Sequence, residues 1–434
     1  MKRLIILTFI LCFTYWTYLF INTQPSIVFD AEGYSTEGHY IAEHGFRSYL
    51  SQSLQREPLY PLTIAASVKI GSLLNTNYIN VLKVIQILCL FITILVIYYL
   101  MVVCGVNDSV KALAVFYLGF SPSLVNATFS MYSEIIAFPF VPLIILVAER
   151  SLYAIYDEYG RKVTQNALLI AFVFLLASFS KSVFIVMFPL FLLSFLFVGR
   201  DKLRKSVKFI IIAFLTFSVV IVGYMSLNKS LNGNFKFTTR FDDALFGVTY
   251  KRSEKINSRI FLAHVATIPG TGICRRYFTK EECDYCQHYS TTYHSSITLP
   301  KLREKTGDSI LMLTVKTWLS NPKQQTMYYL METPKLFFWE STRIGYVQYP
   351  KWLASLYEWT PFRMGIRLFL SILTIWAFFT IRTHNPVGFY TFILICTSLF
   401  AYSFYYILTR YALPMASLYV FLIAKGLDDQ RWID

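Results

Sequence analysis

The sequence predicts an all-α polytopic membrane protein, with about ten transmembrane helices and one large extracytoplasmic loop. Three observations carry this. Of the 434 residues, 55% are hydrophobic and only 15% charged, where a soluble domain carries about 25% charged residues. The mean hydropathy is +0.49. Apolar runs of bilayer-crossing length recur from one end of the chain to the other, which excludes a soluble domain on a single anchor.

The first run, Leu4–Ile21, follows Lys2 and Arg3. No small-x-small cleavage site comes after it, so it reads as an uncleaved first helix, 4–22, rather than a signal peptide. Further spans are expected at 79–104, 111–130, 134–149, 166–180, 182–199, 207–227, 363–381, 386–406 and 411–427. With Lys2 and Arg3 in the cytoplasm, Lys111, Arg150, Arg161 and Lys162 fall on the same side. So do the cluster Arg200, Lys202, Arg204, Lys205 and Lys208, then Arg382, Lys425 and Arg431. The opposite ends of these spans are nearly free of Lys and Arg, as the positive-inside rule expects. Both termini are then cytoplasmic. Much of the net charge of +15 thus orients the chain, and no nucleic-acid motif accompanies it.

The segment Leu59–Leu74 is apolar but short, and it contains Lys69. A lysine at mid-bilayer costs roughly 2.5–3.5 kcal/mol. A span here would also invert every later loop, so the segment reads as a helix on the outer face. Three regions follow: an N-terminal transmembrane module, 1–227, with a first outer loop at 23–78; an extracytoplasmic loop, 228–360; and C-terminal transmembrane helices, 361–434. Within the large loop, Ile310–Trp339 reads as helical, broken at Asn321-Pro322 and at Pro334.

Cys12, Cys89, Cys104 and Cys396 fall in or at the ends of spans, as small apolar fillers. Cys274, Cys283 and Cys286 cluster in the large loop beside His288. On an oxidising side one disulfide with a cysteine left over fits. Zinc on the same donors, or no bond at all, are the alternatives, and spacing leaves the pairing open.

Four features at span ends could carry chemistry. The first outer loop opens Phe29-Asp30-Ala31-Glu32-Gly33-Tyr34 and continues to Arg56-Glu57-Pro58-Leu59-Tyr60-Pro61. A carboxylate at the membrane surface can take a proton from an attacking hydroxyl, and acids can hold a divalent metal ion. Glu134, between two apolar runs, needs a partner or a water-filled cavity. Lys181 suits an anionic lipid phosphate, and Arg410 can bind phosphate oxygens through two N–H groups. Each also has a plain structural reading, as solvated loop acids, a helix-end acid, a snorkelling lysine and an interfacial arginine. The topology puts all four on one side, which suits a reaction on an anionic lipid-linked donor.

These pieces, in this order, resemble the integral membrane glycosyltransferases of the GT-C fold. The closest likeness is to the bacterial branch of protein mannosyltransferases and aminoarabinose transferases. It is carried by Asp30-Ala-Glu32-Gly-Tyr34, Arg56-Glu-Pro-Leu-Tyr-Pro61, Ser121-Pro122 with Met131-Tyr-Ser-Glu134, Ser180-Lys181-Ser182, and Arg410-Tyr-Ala-Leu-Pro414. The resemblance implies a polyprenyl-phosphate sugar as donor, and a glycan, lipid or protein acceptor among the membrane lipids at the outer face. It implies Asp30 as catalytic base, with Glu32 and Glu134 shaping the site or holding a metal. Lys181, Arg410 and Arg56 would contact the donor's lipid phosphate. The alanine between the two first-loop acids departs from the family and leaves the role of Glu32 open. An O-antigen polymerase or ligase, or a transporter, are the competing readings. The acid pair after the first helix speaks against the former, and the lack of an internal repeat against the latter.

Overall fold

The computed structural model describes residues 2–52, 56–157, 160–238, 248–249, 252, 257–268, 271–283, 309–340, 346–380, 385–403 and 409–430. The protein is helical almost throughout. Among the described residues the one sheet pairs Gln24–Pro25 antiparallel with Val347–Gln348.

The helices are α1 (Lys2–Asn22), α2 (Asp30–His44), α3 (Phe46–Leu50), α4 (Leu59–Leu73), α5 (Tyr78–Val103) and α6 (Asp108–Phe120). Then come α7 (Pro122–Phe129), α8 (Glu134–Ala137), α9 (Phe140–Tyr156), α10 (Gly160–Ser180), α11 (Val183–Val198) and α12 (Leu203–Asn232). Six helices among the described residues are long and apolar enough to cross a membrane: Arg3–Asn22, Tyr78–Val103, Glu134–Tyr156, Lys162–Ser180, Arg200–Asn232 and Thr360–Thr380. The chain is therefore a multi-pass membrane protein. The pair α6–α7 is a seventh candidate, bent by 44°. Val183–Val198 and Pro386–Tyr402 are apolar but shorter, as is Leu59–Leu73. The span expected at 411–427 instead opens as a 3-10 turn, Thr409–Met415, and only then becomes the helix Ala416–Gln430. Pro414 accounts for this, since it lacks an N–H and crowds the preceding turn.

Local chemistry sets the boundaries. Asn77 caps α5 by accepting from Ile79 N at 2.9 Å. Asn107 caps α6 through Ser109 N at 2.9 Å, a side-chain oxygen satisfying an orphan N–H in each case. Pro122 cannot donate to the α6 ladder, so the helix stops at Phe120 and restarts with proline in its first turn.

The C-terminal helix is the axis of the bundle. Ala416 through Ala424 are all buried, as befits a helix apolar on every side, and it packs against α5, α6 and Thr360–Thr380. Asp428 near its end accepts from Asn107 N at 3.0 Å, so this end lies at the α5–α6 turn. Helix α1 lies along α6 in the same direction. Trp16 Nε1 donates to Gly119 O at 2.8 Å, and a Cβ at Gly119 would collide with Cys12 Sγ. Lys83, 1% exposed, donates from α5 to Phe20 O at 3.1 Å and to Thr23 O. It thereby satisfies carbonyls at the C-terminal end of α1, where a cation also complements the helix dipole.

Expectations for the large loop hold where it is described. Helices Ile310–Ser320 and Pro322–Glu332 meet at Asn321-Pro322, and a 3-10 turn Thr333–Phe337 contains Pro334. Cys274 and Cys283 form a disulfide with Cα atoms 5.9 Å apart. The bond takes two thiolates from any zinc set, which removes the zinc alternative. Cys286 and His288 lie outside the described residues. Buried Glu332 meets Arg252 at 3.0 Å, Lys335 at 3.1 Å and His264 at 3.5 Å. This ionic clasp ties the helix Ser258–Thr267 to Pro322–Glu332.

Two tests follow from this packing. Gly119→Val should overpack the α1–α6 contact and lower stability by about 1–3 kcal/mol, read as a fall in the melting temperature in detergent. The clasp should weaken in acid. Burial, reinforced by Lys335, holds the folded His264 down at about 3, against 6.5 ordinarily. Burial pushes Glu332 up, but Lys335, Arg252 and His264 together bring it to about 2, against 4.5. In both groups the unfolded chain takes the proton first, so their stabilisation is full above pH 6.5 and is lost as pH falls. Limited proteolysis of this loop should therefore quicken between pH 7 and pH 5, and His264→Gln should flatten that change.

Candidate active site

The sequence-nominated residues meet at the end of the bundle opposite the α5–α6 turn. Asp30 opens α2, and the residue before it, Phe29, is 78% exposed with φ 54°. A non-glycine residue there is strained, and such strain persists only where surrounding structure imposes it. The strand pair and a bond from Ser26 N to Tyr346 O at 2.9 Å fix the entry to this helix.

Residues 30, 33, 34, 37 and 38 share one face of α2, as helical spacing requires. Arg56 lies across that face. Its guanidinium reaches Asp30 Oδ1 at 3.3 Å and Glu37 Oε1 at 3.7 Å, and stacks 4.3 Å over the Tyr34 ring. A Cβ at Gly33 would sit 2.5 Å from Arg56 Nη2, so a side chain there would have to displace the guanidinium. Gly38 likewise faces Ile64 and Pro61 of α4.

From the far end of the chain comes Arg410, in the 3-10 turn. Its Nη2 lies 2.6 Å from Asp30 Oδ2, and its Nε lies 3.8 Å from Glu134 Oε1. Lys181, in the turn between α10 and α11, reaches the same Glu134 oxygen at 3.2 Å. Glu57 braces that turn by accepting from Ser182 N at 3.0 Å and Ser182 Oγ at 2.8 Å. The result is an alternating chain, Glu37–Arg56–Asp30–Arg410–Glu134–Lys181, of three carboxylates and three cations. Glu134 is 2% exposed, and a buried carboxylate is tolerated only with such partners.

Glu32 is the exception. Two residues beyond Asp30, it lies about 200° round the helix, is exposed and makes no ion pair among the described residues. The expectation that it shapes the site or holds a metal is corrected: α2 begins at Asp30, so the two acids point apart. Among the described residues no three His, Cys, Asp or Glu side chains converge on a metal position. Asp30, Glu37 and Glu134 each already face a cation, a donor set that does not fit a divalent ion.

Beside the chain lies a cavity of about 20 Å³, room for little more than one water. Asn126, Ser130, Tyr132, Glu134, Tyr346 and Arg410 line it. Trp339 also lines it, and the neighbouring Glu340 is a residue that sequence reasoning missed. Glu340 accepts from Tyr117 Oη, from Ser121 Oγ at 2.7 Å and from Ser123 N at 2.8 Å. It thus places an anion at the start of α7, where the helix dipole favours one. Burial pushes its carboxyl up, and those hydrogen bonds pull it back. The only sequence signal was an acid among aromatics, Phe337-Phe-Trp-Glu340. Glu57 stood in the quoted motif and Glu37 lay between the two quoted stretches of that loop, but nothing there distinguished their partners.

No family model matches the chain, and no curated protein matches it.

The close approach at position 33 makes a test. Gly33→Ala should push the Arg56 guanidinium off Asp30. In lipid-reconstituted protein any activity of this site should drop, whereas Ala at exposed Glu32 should leave it within about twofold of wild type.

Proposed function

We propose that this protein is a membrane glycosyltransferase of GT-C type, moving a sugar from a polyprenyl-phosphate donor to a glycan, lipid or protein acceptor. The observation that carries the reading is Asp30 clasped between Arg56 and Arg410, with Lys181 one carboxylate further on. A base and its flanking cations are the parts such a transfer requires. Asp30 takes the proton of the acceptor hydroxyl as that oxygen attacks the anomeric carbon. The bond from that carbon to the phosphate oxygen breaks, and its electron pair stays on the phosphate. The leaving group is already acidic, so it needs cations rather than a general acid; Arg410 and Lys181 supply them. A direct displacement of this kind inverts the anomeric centre.

In this reading the chain crosses a bacterial inner membrane about ten times, with both termini cytoplasmic and the site extracytoplasmic. Helix α4 lies along the outer face, with exposed Lys69 turned from its packed side. Region 228–360 meets the acceptor or covers the cavity. The tie from Glu340 to the α6–α7 bend supports a loop held close to that cavity.

The test is sugar transfer by the purified protein in lipid, across a panel of polyprenyl-phosphate sugars. Asp30→Asn should lower kcat by about 10²–10⁴, and Glu32→Gln should leave it near wild type. Equal turnover by wild type and Asp30→Asn would remove Asp30 from the chemistry. Turnover of a pyrophosphate-linked glycan alone would turn the assignment to a polymerase or ligase.

A further inference from the structure

We infer that Arg410 serves two anions in succession: it is the counter-ion of Asp30 before transfer and of the leaving lipid phosphate after it. The inference deepens the proposed function and rests on it for the identity of the base and donor.

The geometry that carries it is the position of Arg410 between Asp30 and the cavity. Its Nη2 is spent on Asp30 at 2.6 Å. Arg410 lines the cavity, and its Nε is buried without a hydrogen-bond partner among the described residues. Glu134 Oε1 stands 3.8 Å from that Nε, beyond hydrogen-bond reach. Two other residues lining the cavity each carry a buried atom without a hydrogen-bond partner among the described residues, Tyr132 Oη and Glu134 Oε2. Their residues are 7% and 2% exposed. An unmade hydrogen bond on a buried group costs about 1–3 kcal/mol, so three such atoms round one cavity mark a place for one small polar group. One phosphate oxygen is about the size of the water that the cavity admits, and it meets the two donors. That oxygen accepts from Arg410 Nε and Tyr132 Oη.

The charge balance then sets the part that Arg410 plays. The donor is a phosphodiester carrying one negative charge, and Asp30 carries another. Transfer moves the acceptor proton to Asp30, which becomes neutral, while the phosphate departs with a second negative charge. The total is unchanged; one unit of negative charge has crossed from one side of Arg410 to the other. A guanidinium already placed between the two positions follows that charge by a small rotation. It interacts more strongly with the phosphate as the reaction proceeds, which is the kind of contact that lowers a barrier. Lys181 keeps buried Glu134 compensated throughout and adds its positive charge to the phosphate from that position.

Asparagine at position 30 resembles the protonated acid, so the exchange makes an unusual prediction about binding. Calorimetry on the full-length protein in nanodiscs would measure farnesyl phosphate and inorganic phosphate. Asp30→Asn should bind farnesyl phosphate about two- to tenfold more tightly than wild type, since a competing ion pair is gone. Arg410→Gln should lose the binding. A gain shared by inorganic phosphate assigns the effect to the anion itself, and a gain confined to farnesyl phosphate assigns it to a lipid-borne headgroup. Unchanged or weaker binding by Asp30→Asn would overturn the inference, even if sugar transfer is lost. Conversely, tighter binding by Asp30→Asn with no sugar turned over by wild type would keep the exchange and sink the glycosyltransferase reading. Should Asp30→Asn fail to elute as a folded species, Glu134→Gln removes the other carboxylate on Arg410 and must show the same tightening.

Discussion

The ion pair between Asp30 and Arg410 closes the molecule. It joins residues 380 positions apart, one at the start of the second helix and one just before the last. Everything else at this end is arranged by the need to keep buried charge compensated. Glu134 is the most enclosed member, and removing one partner from such a carboxylate would cost about 3–5 kcal/mol. Its two cations come from different turns, so α2, α8, the α10–α11 turn and the 3-10 turn are constrained together. Glu57 and the capping of Ser182 extend the constraint to α4 and α11.

A bundle of apolar helices is stabilised by packing that favours many registers almost equally. Charges decide among them. At one end Asn107 finds Asp428; at the other Lys83 finds the carbonyls of α1. Glu340 binds the large loop into the break between α6 and α7. In each case a polar group that would be costly alone is satisfied by partners far along the chain, so the bundle has one arrangement that leaves none of these three stranded.

Much of this was legible in the sequence, and the reasons divide cleanly. Helices follow from apolar runs, and six of the expected spans fall on helices long and apolar enough to cross a membrane. The positions where runs stop gave Asp30, Glu134, Lys181 and Arg410, because ionisable residues gather at span ends. Arg56 came with its motif. Periodicity also held the answer for Glu32, had α2 been read as a helix from Asp30 onward rather than as a loop. What no pattern showed was partnership. Glu340, Lys83 and Glu332 look like ordinary charges in the sequence, and their meaning appears only when a distant helix arrives. The 3-10 opening of the last helix was visible in Pro414, but the run of apolar residues around it suggested an unbroken span.

Lys83 also bears on how the protein is made. The carbonyl of Thr23 is satisfied by a residue 60 positions later. While the ribosome is still translating the intervening loop, the end of the first helix is therefore incomplete, and water or the insertion machinery must satisfy it. Lys83 has the complementary difficulty, a charge near the start of an otherwise apolar helix. Each helix supplies what the other lacks, so the pair is a natural unit of insertion. The first helix completes its own hydrogen bonding only by waiting for the next span.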